Sequence, residues 1–413
     1  MSFCLISTSR KKLINFFIFA FIFMTVNKRL GLFIDFRLLV VILGLSILVC
    51  SFLQGKFNTV LKKWSLYLYI FPAIAFALSF VWGTYRITEF SRSYSLEVSV
   101  NLLANLFGLF VCSIVIILYS EEITYKIITC SYFWSLLVLN IGILLQMFGY
   151  DIFWFTAYPG YIEDFLPQGC WLVRMFGNFG RCSSWVQSPQ LVGLLVFPYL
   201  YMIFVFKEKH KHLKLLLLLL PLLIPYPRTF YVAIVVAVII YLFLKYQKHF
   251  LIFGIPLAGL LIIGFSGFIR DIFTVRTLTN RYGFWLAGLQ GFWEHPFFGH
   301  GPMSHRLVIG QAFGSQQIAA HSSYVGILVD FGVAGLLFWL ITFFLPFWGL
   351  KRNLPKSYII PWMVFILYNM TNHLYYSFIT VVYLLLIPIG IFSYFAKNKE
   401  HRRNGRCECI VVN

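Results

Sequence analysis

Long hydrophobic runs separated by short polar connections form the main pattern along this chain. Such a run can cross a bilayer as a helix when it reaches about 20 residues. The pattern therefore predicts an all-α, polytopic integral membrane protein with about 12 transmembrane helices. The runs lie near residues 13–26, 30–53, 64–82, 98–119, 123–148, 185–206, 213–226, 229–244, 250–268, 321–349, 357–376 and 378–396.

The composition favours a single membrane domain over residues 1–413. Hydrophobic residues make up 60% of the chain and charged residues only 11%, whereas soluble domains carry roughly 25% charged residues. No segment has the composition of a separate soluble domain. Two connections are long, at about 149–184 and 269–320, and residues 397–413 form a polar C-terminal tail.

The basic residues are divided unequally between alternate loops. If the N-terminus is cytoplasmic, the inner loops and tail hold 21 of the 33 Lys and Arg residues. Because cytoplasmic loops are enriched in basic residues, we expect both termini in the cytoplasm and the two long loops in the periplasm. The net charge of +19 could also indicate nucleic-acid binding. Here, however, the basic residues lie in short loops between apolar spans, so no nucleic-acid partner is predicted.

Lysine and arginine also differ between the two predicted faces. The inner set contains 16 Lys and 5 Arg, and the outer set contains 11 Arg and one Lys. Either residue type can set the topology, but Arg forms planar, paired hydrogen bonds with phosphate or carboxylate. The outer face is therefore expected to bind an anionic ligand. The alternative is that its arginines pair with outer acids such as Glu163, Asp164 and Asp271.

Two candidate functional residues stand at outward-facing helix N-termini. His321 begins the tenth predicted span, and Arg228 directly precedes the eighth. A helix N-terminus attracts anions and lowers the pKa of a nearby His, which favours the neutral imidazole that a general base needs. The pair would suit a diphosphate held beside a base. Alternatively, His321 caps its helix and Arg228 reaches from an apolar span to the interface.

Two further polar features need an explanation: the mid-span residue Asp330 and a series of three histidines. Asp330 lies nine residues after His321, which places it on the opposite side of a helix and about 13 Å deeper. We therefore expect another partner for Asp330, with Arg37 as one candidate. A regular spacing of five residues separates three histidines, but it does not put them on one helix face, and no metal site is predicted there. These histidines are His295, His300 and His305.

The two long outer loops carry further expectations. Cys170 and Cys182 share the loop 149–184 and could form a disulfide in an oxidising compartment. In the loop 269–320, residues 282–290 could form an amphipathic helix lying on the membrane. Turns are expected after this helix, at Pro296, Gly299, Gly301 and Pro302.

An ordered set of motifs spans the last outer loop and the helix after it. Arg281 and Trp285 are followed by His295-Pro296-Phe297-Phe298-Gly299-His300-Gly301, then by His321-Ser322-Ser323-Tyr324 and Asp330-Phe331-Gly332. This order resembles the O-antigen ligase and polymerase superfamily of bacterial surface-polysaccharide assembly. Members share an Arg, a Trp, a Pro-x-x-Gly-x-Gly turn and a His that is usually followed by Asn, where this chain has Ser322. Upstream, Arg174-x-x-Gly177 and Pro227-Arg228-Thr229 resemble further segments of the family.

The resemblance implies a metal-independent glycosyltransferase that needs no cofactor and uses undecaprenyl-diphosphate-linked glycans. It implies that Arg228, Arg281 and Arg174 bind the donor diphosphate. His321 would be the catalytic base that activates the acceptor hydroxyl. The implied supporting residues are Trp285, Gly299, Gly301 and Asp330. The implied partners are the lipid-linked glycan donor, a glycan or lipid A-core acceptor, membrane lipid and other polysaccharide-assembly proteins.

Two functions within the superfamily fit the sequence. A polymerase would join lipid-linked repeat units, and a ligase would transfer the finished glycan to lipid A-core. We favour the polymerase because polymerases vary widely in sequence and this chain departs from the common His-Asn pattern. A transporter of lipid or polysaccharide is an alternative of another class. A transporter would place its ionisable groups near the membrane midplane, whereas most charges here lie outside the spans.

Overall fold

The computed structural model of the protein consists of helices joined by turns. The residues that it describes contain no strand, which confirms the all-α class for this part of the chain. These residues are 2–27, 36–53, 105, 107–147, 186, 189–206, 211–224, 228–246, 275–301, 303–314, 318–350, 356–370, 372 and 377–403.

The described helices overlap the predicted hydrophobic runs, except for two over 275–294 and 305–312 that lie in the predicted loop 269–320. They are α1 (Ser2–Val26), α2 (Phe36–Leu53), α3 (Phe107–Leu118), α4 (Tyr125–Met147), α5 (Pro189–Val205), α6 (Lys211–Leu223), α7 (Arg228–Tyr246), α8 (Val275–Glu294), α9 (His305–Ala312), α10 (Ser323–Leu350), α11 (Ile359–Asn369) and α12 (Ile387–Arg403). A 3-10 turn, Lys356–Tyr358, precedes α11. The turn Ile379–Val381 and the π-helical turn Val382–Leu386 lead into α12.

Three of the described helices are long and apolar enough to cross a membrane. They contain the segments Tyr125–Gln146, Thr229–Tyr246 and Ser323–Ile341, which match the runs predicted near 123–148, 229–244 and 321–349. The runs near 64–82 and 250–268 and the loop 149–184 lie outside the described residues. A count of about 12 spans therefore stays a prediction.

The main hydrophobic core forms where α1 packs along α4. Phe17 and Phe21 are fully buried in it and stack on each other. Just after α1, the Nδ2 group of Asn27 donates a hydrogen bond of 3.0 Å to the carbonyl oxygen of Ser135 in α4. Close packing and such interhelical hydrogen bonds hold helices together in a bilayer, where burial of apolar surface contributes little.

The start of α10 is fixed to the end of α11. The buried Oγ of Ser323 lies 2.7 Å from Oδ1 of Asn369 and 2.8 Å from the carbonyl oxygen of Asn372, so its proton has an acceptor on either side. Helix α11 also packs along α7, the helix that begins at Arg228. These contacts fix the backbone immediately after His321.

A second, smaller core joins α8 and α9 to the first half of α10. Its buried members include Phe292 from α8, Ile309 from α9, and Val325 and Val329 from α10. Gly288 permits the close approach of α8, because a Cβ at this position would collide with the side chain of Val325. This three-helix unit holds the segments that carry the sequence motifs.

Candidate active site

His321 lies two residues before α10, in a backbone conformation that is uncommon for residues other than glycine. Its φ angle is 50°, in the left-handed region, where His is found more often than most side chains. The ring stacks on Phe284 of α8, with ring centroids 6.1 Å apart and an interplanar angle of 27°. The left-handed turn thus places the imidazole against α8, with its other side open to solvent.

The surroundings of His321 favour its neutral form. Although part of the residue is exposed, protein crowds the ring on its inner side, and this loss of water is the largest cause of a lowered pKa. The positive charges of Arg281 and Arg306 and the electrostatic effect of His305 act in the same direction, and together these effects lower the pKa of His321 from 6.5 to about 4. A neutral imidazole can accept a proton near neutral pH.

Arg281 approaches the imidazole from α8. It lies three residues before Phe284, and residues with this spacing share one face of a helix. A single helical face therefore supplies both the ring that stacks on His321 and one of the cations that act on it. The expected base, His321, thus contacts the helix that carries the expected diphosphate ligand, Arg281.

A backbone contact joins the turn after α8 to a break in α10. The break is at Gly332, whose φ of 66° and ψ of −163° belong to a region that only glycine adopts readily. Breaking a helix leaves peptide groups without helical partners, and these must be satisfied elsewhere. The turn supplies the partners through four backbone hydrogen bonds, from His300 N to Val329 O (2.8 Å), Gly301 N to Asp330 O (2.9 Å), Val333 N to Pro296 O (2.8 Å) and Ala334 N to Phe297 O (3.3 Å).

Backbone geometry explains why glycine occupies two positions of this turn. Gly299 and Gly301 both have positive φ angles, of 70° and 106°. A Cβ on Gly299 would also collide with the backbone of Asp330 and Phe331. The turns expected at Gly299 and Gly301 are therefore confirmed, and these glycines let the turn lie directly against the break in α10.

Asp330 is fully buried beside the break, and the segment before α9 satisfies its carboxylate. The Nδ1 of His305 lies 3.0 Å from both carboxylate oxygens. The backbone N–H groups of Met303 (2.9 Å) and His305 (2.8 Å) also donate to this carboxylate. The Ser304 hydroxyl lies 3.1 Å from Oδ1 of Asp330 and 2.6 Å from the carbonyl oxygen of Gly301, so these two acceptors share its one proton. Asp330 thus has the separate partner that its depth predicted. That partner is His305, for which the sequence predicted no such role, and the side chain of the named candidate, Arg37, lies outside the described residues.

The motifs of the last outer loop thus meet in one unit built from α8, α9 and α10. Residues 213–340 match the O-antigen ligase family. The resemblance to the O-antigen ligase and polymerase superfamily is confirmed over this segment, which includes Arg228, Arg281, His321 and Asp330. The family consists of glycosyltransferase-like enzymes. Together with the apolar helices, the match indicates an integral membrane protein.

A search of curated proteins finds no match to this chain. Within the matched segment, Arg228 is the first residue of α7 and so stands at a helix N-terminus, as expected. Its side chain lies outside the described residues, as do Arg174, Cys170 and Cys182 entirely. The roles of Arg228 and Arg174 and the disulfide therefore stay predictions.

Trp285 lies next to the ring that contacts His321. It packs, partly buried, against the smaller core. Its indole Nε1 is buried and has no hydrogen-bond partner among the described residues. Trp285 thus lies on the helix that also carries Phe284 and Arg281, and its supporting role stays a prediction.

Two residues of the site were not assigned to it from the sequence. The sequence pattern shows His305 only as a member of a histidine series and Arg306 only as one of the outer arginines. Both lie close enough to His321 to affect its pKa. The sequence signal for His305 is the expected partner of Asp330, which lies 25 residues from His305 in the chain.

Glu294, His295 and His300 have the composition of a metal-ligand group. Each offers one ligand atom, and these atoms lie within 4.8 Å of one another. However, the Nε2 of His300 already lies 2.7 Å from the carbonyl oxygen of Gly291, and Glu294 is largely exposed. The contact with Asp330 occupies the ring of His305, the third histidine of the series. The absence of a metal site remains a prediction.

Proposed function

We propose that the chain is a membrane glycosyltransferase that polymerises undecaprenyl-diphosphate-linked oligosaccharide repeat units into an O-antigen or capsule-type polysaccharide. The reaction takes place on the periplasmic face of the inner membrane, and both termini are cytoplasmic. The match of residues 213–340 to the O-antigen ligase family supports the reaction class. The division of Lys and Arg between the predicted faces supports the orientation.

The observation that carries the proposal is the stacking of His321 on Phe284 of α8, the helix that also carries Arg281. His321 has a pKa lowered to about 4, with the positive charges of Arg281 and Arg306 among the causes. A base that is neutral at working pH can remove a proton during transfer, for a gain of about 10²–10⁴-fold in rate. Neighbouring guanidinium groups suit a leaving group that develops negative charge.

The reaction follows from these two roles. The acceptor sugar hydroxyl attacks the anomeric carbon of the donor, and His321 takes the hydroxyl proton. The bond between the anomeric carbon and the diphosphate oxygen breaks, and undecaprenyl diphosphate leaves with the bonding electrons. Arg281 stabilises the charge on the diphosphate, with Arg228 and Arg174 as further ligands. No nucleotide or other cofactor is required, because the donor sugar is already activated by its diphosphate.

The outer surface of α8 supports a lipid-linked substrate. Tyr282, Leu286, Leu289 and Trp293 are all exposed, and their spacing of four, three and four residues places them on one helical face. An exposed apolar face of this kind fits contact with lipid chains. Arg281 is adjacent to this face, so a diphosphate on a lipid anchor could reach it without leaving the membrane surface.

A ligase is the second candidate function, because the matching family is described as O-antigen ligase. Both reactions use the same donor and base and differ in the acceptor. The glycan phenotype of a deletion strain separates them. Lipid A-core carrying a single repeat unit indicates a lost polymerase. Bare lipid A-core with polymer accumulating on undecaprenyl diphosphate indicates a lost ligase. Repeat units retained on the cytoplasmic side would instead indicate a transporter and overturn the proposal.

The assignment of His321 is tested by complementing that strain. His321→Ala should abolish glycan extension while the protein remains in the membrane. His212→Ala is a matched control, because His212 is exposed at the start of α6, outside the proposed site. Arg281→Lys and Arg228→Lys should also be severe, since Lys retains the charge but cannot make the paired contact with phosphate. Full extension with His321→Ala would remove the base from the mechanism.

A further inference from the structure

We infer that Arg306 is an additional ligand of the donor diphosphate, and that the buried contact between Asp330 and His305 positions it. The sequence alone assigns no individual substrate-binding role to Arg306 or His305. The inference rests on the proposed function and adds a residue to its anion-binding site. It assigns a role to α9, the short helix that connects the turn after α8 to His321.

The position of Arg306 is the first argument. Arg306 is the second residue of α9, and its carbonyl oxygen accepts a hydrogen bond of 3.1 Å from the backbone N–H of Ile318. Ile318 is only three residues before His321, so this bond ties the start of α9 to the segment that leads into the proposed base. The guanidinium also acts electrostatically on the His321 ring, as Arg281 does from α8. Cations on two different helices therefore act electrostatically on the same imidazole.

The hydrogen-bonding state of Arg306 is the second argument. Its Nε is buried and has no hydrogen-bond partner among the described residues. None of the carboxylates in the described part of the chain forms an ion pair with it. Asp330 is occupied by residues 303–305, Glu294 lies beside His300, and Glu122 pairs with Arg10. Burying a guanidinium donor without an acceptor is costly, and an anionic ligand would supply that acceptor.

The rigidity of the preceding backbone is the third argument. Four groups of residues 303–305 contact the fully buried Asp330, namely two backbone N–H groups, one hydroxyl and one imidazole. This fixes the chain up to the residue directly before Arg306. A ligand-binding group on a fixed backbone loses little conformational freedom when it binds, which strengthens binding. Asp330 and His305 are thus positioning residues for Arg306.

The chemistry of the ligand follows from the pair of guanidinium groups. A diphosphate has two phosphoryl groups, and each can accept paired hydrogen bonds from one planar guanidinium. Arg281 and Arg306 could therefore bind one phosphoryl group each. A monophosphate would leave one guanidinium without its partner. The site should consequently prefer undecaprenyl diphosphate to undecaprenyl monophosphate, and Arg306 should contribute to that preference.

The test measures binding of both lipids to the full-length protein purified in detergent. Arg306→Gln should raise the Kd for undecaprenyl diphosphate by about 10- to 100-fold, as expected for a lost charge-assisted contact. The ratio of the monophosphate Kd to the diphosphate Kd should fall. Arg306→Lys should recover only part of the affinity. Lys11→Gln removes an equal charge from an exposed position on α1 and should leave both Kd values unchanged.

The outcomes separate this inference from the proposed function. Wild-type affinity in Arg306→Gln, together with weak binding in Arg281→Gln, would overturn the inference and leave the proposed function intact. Lost transfer activity with unchanged affinity in Arg306→Gln would also overturn it, since Arg306 would then act only on His321. Failure of the wild-type protein to bind undecaprenyl diphosphate would overturn both. If Arg306→Gln does not fold, the same readings apply to Arg306→Lys.

The positioning role has its own readout. Asp330→Asn should raise the Kd for undecaprenyl diphosphate in the wild-type background and have little further effect in Arg306→Gln. This dependence on Arg306 is the signature of an effect transmitted through that residue, because independent effects would add. Equal effects of Asp330→Asn on the Kd in the two backgrounds would show that the buried pair serves stability alone and would overturn the positioning role.

Discussion

Gly299 and Gly332 lie on opposite sides of one backbone-to-backbone contact, where a Cβ on either residue would collide with the opposing chain. Gly299 faces the backbone of Asp330 and Phe331, and Gly332 faces that of Phe297 and Phe298. Both have positive φ angles. The break in α10 and the turn after α8 therefore form a single structure. Asp330, at this contact, connects it to His305 and hence to the proposed site.

Replacing either glycine by alanine should destabilise the protein strongly. Gly299→Ala and Gly332→Ala each introduce backbone strain, of about 1–3 kcal/mol, and a collision in a filled space, of about 1–3 kcal/mol more. Gly314→Ala is a matched control, because Gly314 also has a positive φ, of 64°, but has open space around its Cβ position. The unfolding midpoint in detergent measures the difference. Equal losses at all three positions would contradict the backbone contact.

The buried pair of Asp330 and His305 should show coupled energetics. Both side chains are fully buried and lie 3.0 Å apart. Removing one partner of a buried pair costs about 3–5 kcal/mol, because the other is left without its hydrogen bond. Asp330→Asn and His305→Asn should each lower the unfolding midpoint. The double variant should lose less than the sum of the single losses. Additive losses would show that the two side chains act independently.

Much of the helical architecture could be predicted from the hydrophobic pattern alone. The runs near 123–148 and 321–349 correspond to α4 and α10, because a continuous apolar stretch of this length has few alternatives to a helix. The broken conformation at Gly332 was not predicted. A glycine within an apolar run is compatible with a continuous helix, and the break depends on hydrogen bonds from residues more than 25 positions earlier.

The site shows the same division between local and long-range information. The sequence identifies His321 by its position at a helix start and Arg281 by the family motif. The structure shows that Arg281 acts electrostatically on His321. The sequence does not single out His305 and Arg306, because their roles come from contacts with Asp330 and with the segment before His321. The regular spacing of His295, His300 and His305 suggested one series. Turns separate them, so that His300 contacts Gly291 while His305 contacts Asp330.

The pH dependence of transfer should reflect the unusual basicity of His321. A base works when it is unprotonated, so activity should fall as the pH drops through its pKa. Because that pKa is lowered to about 4, the rate should be flat from pH 6 to pH 8. A histidine with the usual pKa of about 6.5 would instead lose half its activity near that pH. The measurement is the initial rate of glycan transfer by purified protein against pH.

A charge-removing variant tests the cause of this shift. Arg281→Gln removes one of the cations that lower the pKa of His321. The residual activity of that variant should therefore fall at a higher pH than in the wild type. Lys11→Gln, which is remote from the site, should leave the profile unchanged. An identical acid limb in Arg281→Gln and the wild type would show that burial alone sets the basicity of His321.

Reporter fusions test the proposed orientation. A reporter joined after Arg306 should be active in the periplasm, and one joined after Lys211 should be active in the cytoplasm, because the Lys-rich loops are expected to stay inside. The two sites lie before and after α7, which is apolar enough to cross the membrane. A cytoplasmic reporter after Arg306 would invert the orientation and place the proposed site on the wrong face for a lipid-linked donor.

Removal of divalent metal ions tests the expectation of a metal-independent reaction. Purified protein treated with a chelator should retain its transfer rate, because the proposed reaction uses only guanidinium groups and a neutral imidazole. The candidate metal-ligand group consists of Glu294, His295 and His300, whose ligand atoms lie within 4.8 Å of one another. Glu294→Gln removes its one carboxylate and should leave the rate unchanged with or without added Zn²⁺. A rate that chelation abolishes and Zn²⁺ restores, but only in protein with Glu294 intact, would assign this group to a required metal ion.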